Sequence, residues 1–199
     1  MLTGHDGSLT CCAYLPDGQR VLTAANDNSF RVWNEDGVCV YSVEKMKHTV
    51  RCTAVCKALG LVYLGDSGGS VLVLQAKDFS FNRTQEGSKQ RGWVVCVAVG
   101  VNGQYMVCCY QHGQCIVYDA QSGAELMTID DGSDTLPLCV ALSGDNKWMC
   151  VGHEDGHAVV YSVTKHSIDR QHSMSVSSCG VSSSQTTKFR SLLIQALTL

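Results

Sequence analysis

The residues best suited to chemistry are a His-Glu-Asp-Gly-His string at 153–157 and twelve cysteines. On a helix, two histidines four residues apart share one face and can hold zinc, with the glutamate as general base. Here His153, Glu154 and His157 enclose an Asp-Gly pair, and Val159, Val160 and Tyr161 follow. Asp-Gly suits a turn, and a β-branched and aromatic run suits a strand. The string therefore reads as a hairpin. A metal-dependent hydrolase built on it is the rival reading of function, and no catalytic or metal-binding residue is assigned. The cysteines include Cys11-Cys12, Cys108-Cys109, and Cys52 with Cys56, but no paired CxxC of a zinc site. They read as small buried hydrophobes. There is no Gly-rich phosphate loop, no GxSxG elbow and no convergent carboxylate pair, so no cofactor is expected.

The composition is that of a folded chain. Of 199 residues, 45% are apolar and 17% charged, against roughly 25% charged in ordinary soluble domains. A net charge of −3 gives no electrostatic reason to expect nucleic acid or an anionic membrane as partner. The opening MLTGHDGSL has no cationic segment followed by an apolar one, so no secretory signal is expected. No apolar run approaches the roughly 20 residues that span a bilayer. The thiols are accordingly expected to be reduced, in a cytoplasmic or nuclear setting. The Asn82-Arg83-Thr84 sequon then reads as a chance match.

The elements that would position these residues emerge from a repeat. Segments beginning at Leu9, Val50, Val94 and Pro137 align without a gap, at offsets of 41, 44 and 43 residues. One column holds Cys11, Cys52, Cys96 and Cys139; two places on lie Ala13, Ala54, Ala98 and Ala141. That period of two puts small apolar groups on one face of a strand. A later column holds Val32, Val73, Val117 and Val160, followed by Trp33, Leu74, Tyr118 and Tyr161. Between these columns stand turn pairs: Asp27-Asn28, Gly68-Gly69, His112-Gly113 and Asp155-Gly156. A fourth strand-like stretch follows the first three blocks, at Val38 to Val43, Phe79 to Thr84 and Leu126 to Ile129. A period near 43 of four-stranded meanders specifies sheets repeated radially, each buried against its neighbours. Crowding near the axis would favour the small Cys and Ala on the innermost strands.

The pattern resembles the WD repeat. The first block carries Gly4-His5, Leu15-Pro16-Asp17-Gly18, Thr23, Asp27 and Trp33-Asn34. The resemblance implies an all-β WD-repeat propeller with four complete four-stranded blades at 4–43, 48–84, 91–130 and 134–172. Residues 173–199 are read as a Ser/Thr-rich tail or an incomplete fifth repeat. It also implies that His5, Thr23, Asp27 and Trp33 form a hydrogen-bonded structural tetrad. Later blocks depart from the pattern: the second ends Leu74-Gln75, the fourth Tyr161-Ser162, and only the third keeps an Asp, as Tyr118-Asp119. None has Gly-His at the family spacing. These lapses bear on blade stability more than on fold.

Four blades are fewer than the seven usual in the family. A fragment of a longer protein is favoured over a ring closed by another chain or a second copy, and that over a free-standing array. By analogy with the family, function falls to the face built from hairpin turns and blade-to-blade connections. By position that face would carry Arg51, Asp66, Trp93, Tyr110, His112 and His153, with Trp93 and Tyr110 expected to reach solvent. Trp, Tyr and Arg dominate interface energetics. The expected partner is a protein or peptide, and the expected role a non-enzymatic scaffold. The Arg that follows Trp-Asp in many ubiquitin-ligase substrate receptors is missing, as is the paired Arg of phosphoinositide-binding propellers. A purely structural piece, docking its edges to other blades, is the third reading.

Overall fold

Each repeat folds as an antiparallel meander in the computed structural model, which describes residues 3–87, 91–129, 135–164 and 168–175. Blade 1 comprises β1 (Leu9–Tyr14), β2 (Val21–Ala25), β3 (Ser29–Trp33) and β4 (Cys39–Val43). Blade 2 comprises β5 (Val50–Cys56), β6 (Leu61–Asp66), β7 (Val71–Gln75) and β8 (Phe81–Gln85). Blade 3 comprises β9 (Val94–Val99), β10 (Tyr105–Tyr110), β11 (Cys115–Asp119) and β12 (Glu125–Ile129). Blade 4 comprises β13 (Pro137–Leu142), β14 (Trp148–His153), β15 (His157–Val163) and β16 (Ile168–Ser175). Strand order within every sheet follows the chain. β16 runs past the expected boundary at 172, because its ladder follows the seven-residue β15 out to the His157–Ser175 pair. The rest of the expected tail or fifth repeat, 176–199, lies outside the described residues.

The first strands β1, β5, β9 and β13 lie side by side along the axis, and consecutive sheets pack face to face. Among the described residues the four sheets do not close into a ring. Strand alternation decides which seam each side chain enters. Leu22, Ala24, Phe30 and Val32 of blade 1 meet Val62, Leu64 and Leu74 of blade 2. Tyr63, Val71 and Val73 meet Met106, Cys108, Tyr110, Ile116 and Tyr118 across the second seam. Val107, Cys109, Cys115 and Val117 meet Met149, Val151, Val159 and Tyr161 across the third. Each seam is lined mainly by buried apolar side chains, so burial of the meander faces supplies most of the driving force.

The recurrent cysteine has a register partner, and in three blades that partner is smaller still. Cys11 pairs with Ala24, Cys52 with Gly65 and Cys139 with Gly152. A Cβ on Gly65 would stand 2.6 Å from the Cys52 sulfur, and one on Gly152 2.7 Å from that of Cys139. The narrow inner rim thus limits the summed size of the two residues. In blade 3 the partner of Cys96 is Cys109.

Each β2–β3-type hairpin turns through a residue at positive φ: Asn28 at 58°, Gly69 at 85°, Gly113 at 86° and Gly156 at 84°. Gly69, Gly113 and Gly156 donate their amides to the carbonyls of Asp66, Tyr110 and His153. This is the type I turn with a left-handed fourth residue that suits short hairpins.

Two arginines tie successive blades together at the opposite end. Arg20 of blade 1 donates to the carbonyls of Ala76 (3.1 Å) and Lys77 (3.3 Å) in the β7–β8 turn. Arg83 of blade 2 donates to those of Ala120 (2.6 Å) and Gln121 (2.9 Å) in the β11–β12 turn. The buried Tyr63 hydroxyl also donates to Ala120, at 2.9 Å. A planar fork of N–H donors suits a pair of successive carbonyls.

Candidate functional site

The expected residues lie toward the hairpin-turn end of the blades, except Trp33, which stands at the other end of β3 opposite Val21. In blade 1, the structure joins His5, Thr23, Asp27 and Trp33 through hydrogen bonds. The Trp33 indole N–H donates to the Thr23 hydroxyl at 2.8 Å. Indole can only donate, so the hydroxyl accepts there and turns its own proton toward His5 Nε2, also at 2.8 Å. That assignment leaves the imidazole proton on Nδ1, which faces the Asp27 carboxylate at 3.0 Å. The carboxylate also accepts the Asp6 amide (2.9 Å), the Ser29 amide (2.9 Å) and the Ser29 hydroxyl (2.6 Å). Partial burial would raise the Asp27 carboxyl, but the bonds from Ser29, His5 and the two amides overcome it. They hold it well below the usual carboxylate range. Ser29 was absent from the expected set. Its column is polar in every repeat (Ser29, Ser70, Gln114, His157), which is the signal that could have flagged it.

The six loop-face residues divide. Arg51 and His112 are exposed. Trp93 is half-buried, its ring 5.7 Å from the Arg51 guanidinium carbon. Asp66 is also half-buried and caps its own turn, accepting the Gly68 and Ser70 amides. Tyr110 corrects the expectation: it is 0% exposed. Its position at the end of β10 faces the second seam, where its hydroxyl lies 3.1 Å from that of Tyr118. Arg91 covers the ring at 5.9 Å and pairs with Glu125. Burial pushes the Tyr110 phenol far up, so it stays neutral. His153 is the second correction, at 6% exposed. It points into the third seam rather than off the turn, with Nδ1 3.2 Å from the Thr135 hydroxyl.

The 153–157 string is a hairpin. His153 ends β14, Glu154 and Asp155 turn, and His157 opens β15. Asp155 accepts the His157 amide at 3.0 Å and its imidazole at 2.7 Å. The two histidines lie on different strands, one buried and one exposed, so they do not form the one-faced pair a zinc helix provides. Asp155 instead repeats the turn-ordering role of Asp27, with which it aligns.

Among the described residues the arrangement brings no three His, Cys, Asp or Glu together to hold a metal. At the second seam the rim comprises exposed Arg51 and His112 with half-buried Trp93, beside Arg91 and His48. His48 lies over the blade 2 turn, where a Cβ on Gly68 would meet its ring at 2.6 Å. The nearby carboxylates Asp66, Glu86 and Glu125 are engaged within the fold, with turn amides, Ser70 and Arg91. Among the described residues no carboxylate forms an ion pair with Arg51.

Comparison with known proteins agrees with this architecture. The family model "WD domain, G-beta repeat" (WD40) matches residues 1–34 and 124–162. The second match runs from the end of blade 3 through β15, so it includes the 153–157 hairpin. Among solved structures, one titled "Structure of U3-55K" superposes with a TM-score of 0.75 over 87% of this chain, at 19% identity. The chain spans 56% of that protein's chain. At such identity the likeness speaks for the fold alone. Solved chains of this shape are numerous, 1644 matching, and a fold so widely used does not select a function.

Proposed function

The chain carries WD repeats folded as propeller blades, and from that premise we propose that it is a protein-interaction scaffold binding a peptide or domain on its hairpin-turn face. WD-repeat propellers are generally non-enzymatic scaffolds. The observation that carries the proposal is the Arg51–Trp93 stack. An exposed guanidinium with no ion-pair partner among the described residues lies over a half-exposed indole, at the seam where two blades meet. Holding Arg51 against the ring lowers the ordering cost of an interface contact, and Arg and Trp are the types that anchor interfaces. His112 extends the same rim.

Peptides selected from a displayed random library against the full chain test this directly. Arg51→Ala and Trp93→Ala should each weaken the selected peptides by about tenfold or more. Arg51→Ala should leave the unfolding transition within about 0.5 kcal/mol of wild type, as surface replacements do. Selected peptides that bind both variants as tightly as wild type would overturn the assignment.

A second reading, docking of a further blade, is favoured by the outward face of blade 1. Leu9 is 60% and Tyr14 70% exposed there, each lining a separate hollow that reaches Trp33. In blades 2 to 4 the corresponding face is covered by the preceding sheet. Concentration-dependent mass of the chain in solution distinguishes this reading, since self-docking must raise it.

A further inference from the structure

Blade 3 breaks the rule that keeps the inner rim small. Where the other blades place Ala24, Gly65 or Gly152 opposite the inner cysteine, blade 3 places Cys109. The next strand continues the row: Cys115 stands opposite Cys109, where the aligned residues are Phe30, Val71 and Ala158. Three thiols therefore cross three adjacent strands on the face turned toward blade 4. The Cys109 and Cys115 sulfurs are 2.6 Å apart, and both thiols are free.

The hairpin register makes this pair suitable for a bond. At the turn the Tyr110 amide donates to the Gln114 carbonyl at 2.8 Å, and the Tyr110 carbonyl accepts the Gly113 amide at 3.1 Å. The next pair, Cys109 and Cys115, is then the non-hydrogen-bonded one, where Cα atoms approach to about 4.5 Å. That lies inside the range of about 4.4–6.8 Å that a disulfide spans.

We propose that Cys96, Cys109 and Cys115 form an oxidation site, in which a hydroperoxide closes the buried Cys109–Cys115 pair into a cross-strand disulfide with Cys96 as the entry thiol. Cys96 is half-buried, whereas Cys109 and Cys115 are buried. Burial, reinforced by hydrogen bonds to Cys115 and Cys96, pushes the Cys109 thiol up, so it is a poor first nucleophile. The Cys96 thiolate attacks the peroxide O–O bond, takes one oxygen as a sulfenic acid and releases an alcohol, or water from hydrogen peroxide. Cys109 displaces that oxygen as water, forming a Cys96–Cys109 disulfide. Cys115 then attacks the Cys109 sulfur and returns Cys96 to the thiol. In sum, two thiols lose two hydrogens and two electrons to one peroxide.

The experiment treats the folded full chain with hydrogen peroxide, alkylates remaining thiols after unfolding, and maps the peptides by mass spectrometry. Chymotryptic cleavage after Tyr105 and Tyr110 separates the three cysteines. The expected product is a Cys109–Cys115 cross-link, with Cys56, buried in the second seam, still alkylated. Cys96→Ser should slow closure by about tenfold or more without changing the product, because a thiolate must start the chain. Cys115→Ser should trap the Cys96–Cys109 bond. Full alkylation of Cys109 and Cys115, at doses that oxidise the exposed Cys12 and Cys39, would overturn the site. An unchanged rate in Cys96→Ser would overturn its entry role. The wild-type map depends on no variant, so a failure of either replacement to fold leaves the main test intact.

Discussion

Blades 1 and 3 solve one problem with opposite chemistry. Both must close a hairpin and finish the face of the meander that in blade 1 is outward and in blade 3 is turned toward blade 2. Blade 1 uses Thr23, Trp33 and Asp27, linked through His5 into a polar relay that runs from the third strand to the turn. Blade 3 has Cys108, Tyr118 and His112 in the same columns and fills the face with tyrosine. There Tyr110 and Tyr118 are buried and share one hydroxyl–hydroxyl bond. The relay satisfies buried polar groups and orders the turn; the tyrosine pair excludes water. A blade can therefore lose its tetrad and remain a blade, provided apolar volume takes over the face.

The largest test of this contrast is Tyr110→Ala. Emptying an aromatic site in the second seam should cost about 3–5 kcal/mol by denaturant unfolding. A cost below about 1 kcal/mol would mean that the seam collapses around the gap and that volume is not what holds blade 3. Next comes Thr23→Val, which keeps shape but strands the Trp33 N–H and His5 Nε2. Its expected cost is about 2–3 kcal/mol, with Thr23→Ser recovering most of it. If Thr23→Val costs nothing while Thr23→Ser destabilises, the methyl rather than the hydroxyl matters.

The smallest effect carries the sharpest signature. Asp27→Asn should cost about 1–2 kcal/mol at neutral pH. The Asp27 carboxyl titrates lower in the folded chain than in the unfolded one. It therefore stabilises fully above the unfolded value of about 4, and that contribution drains away as acid protonates the folded carboxyl. The gap between wild type and Asp27→Asn should narrow from pH 7 to pH 3 in urea titrations. The gap for Tyr110→Ala should hold constant across that window, since the phenol is neutral throughout. Equal pH dependence in both would erase the distinction between the blades.

Much of this was legible in the sequence because repeats expose their own registers. The column of turn pairs located all four hairpins, and the positive-φ residues fall on the second member of each. The expected tetrad residues are hydrogen-bonded together. Legibility failed where one column mixed chemistries. Tyr110 aligns with Ala25, Asp66 and His153, a set with no shared polarity, and the bulge between Cys109 and Tyr110 shifts the register there. In the sequence Tyr110 and His153 thus read as rim residues, whereas alternation along β10 and β14 turns both inward. The arginine clamps were hidden for another reason. Arg20 and Arg83 occupy unrelated positions in their repeats, and their acceptors are backbone carbonyls, which leave no mark in a sequence. The thiol row lay half in view: the Cys column was plain, but its partner column acquires meaning only once strands are paired.

The clamps also have a direction. In both, the guanidinium belongs to the earlier blade and the carbonyls to the later one. During synthesis the donor is therefore made and held first, before its acceptors have left the ribosome. Arg20 is braced by Asp17 at 2.6 Å within its own blade, so it needs no later residue to fix its base. Blades 1 and 2, once finished, each present a waiting fork, and the next blade is seated when its last hairpin turns two successive carbonyls toward it. Growth of the array is vectorial in its hydrogen bonds as well as in its chain.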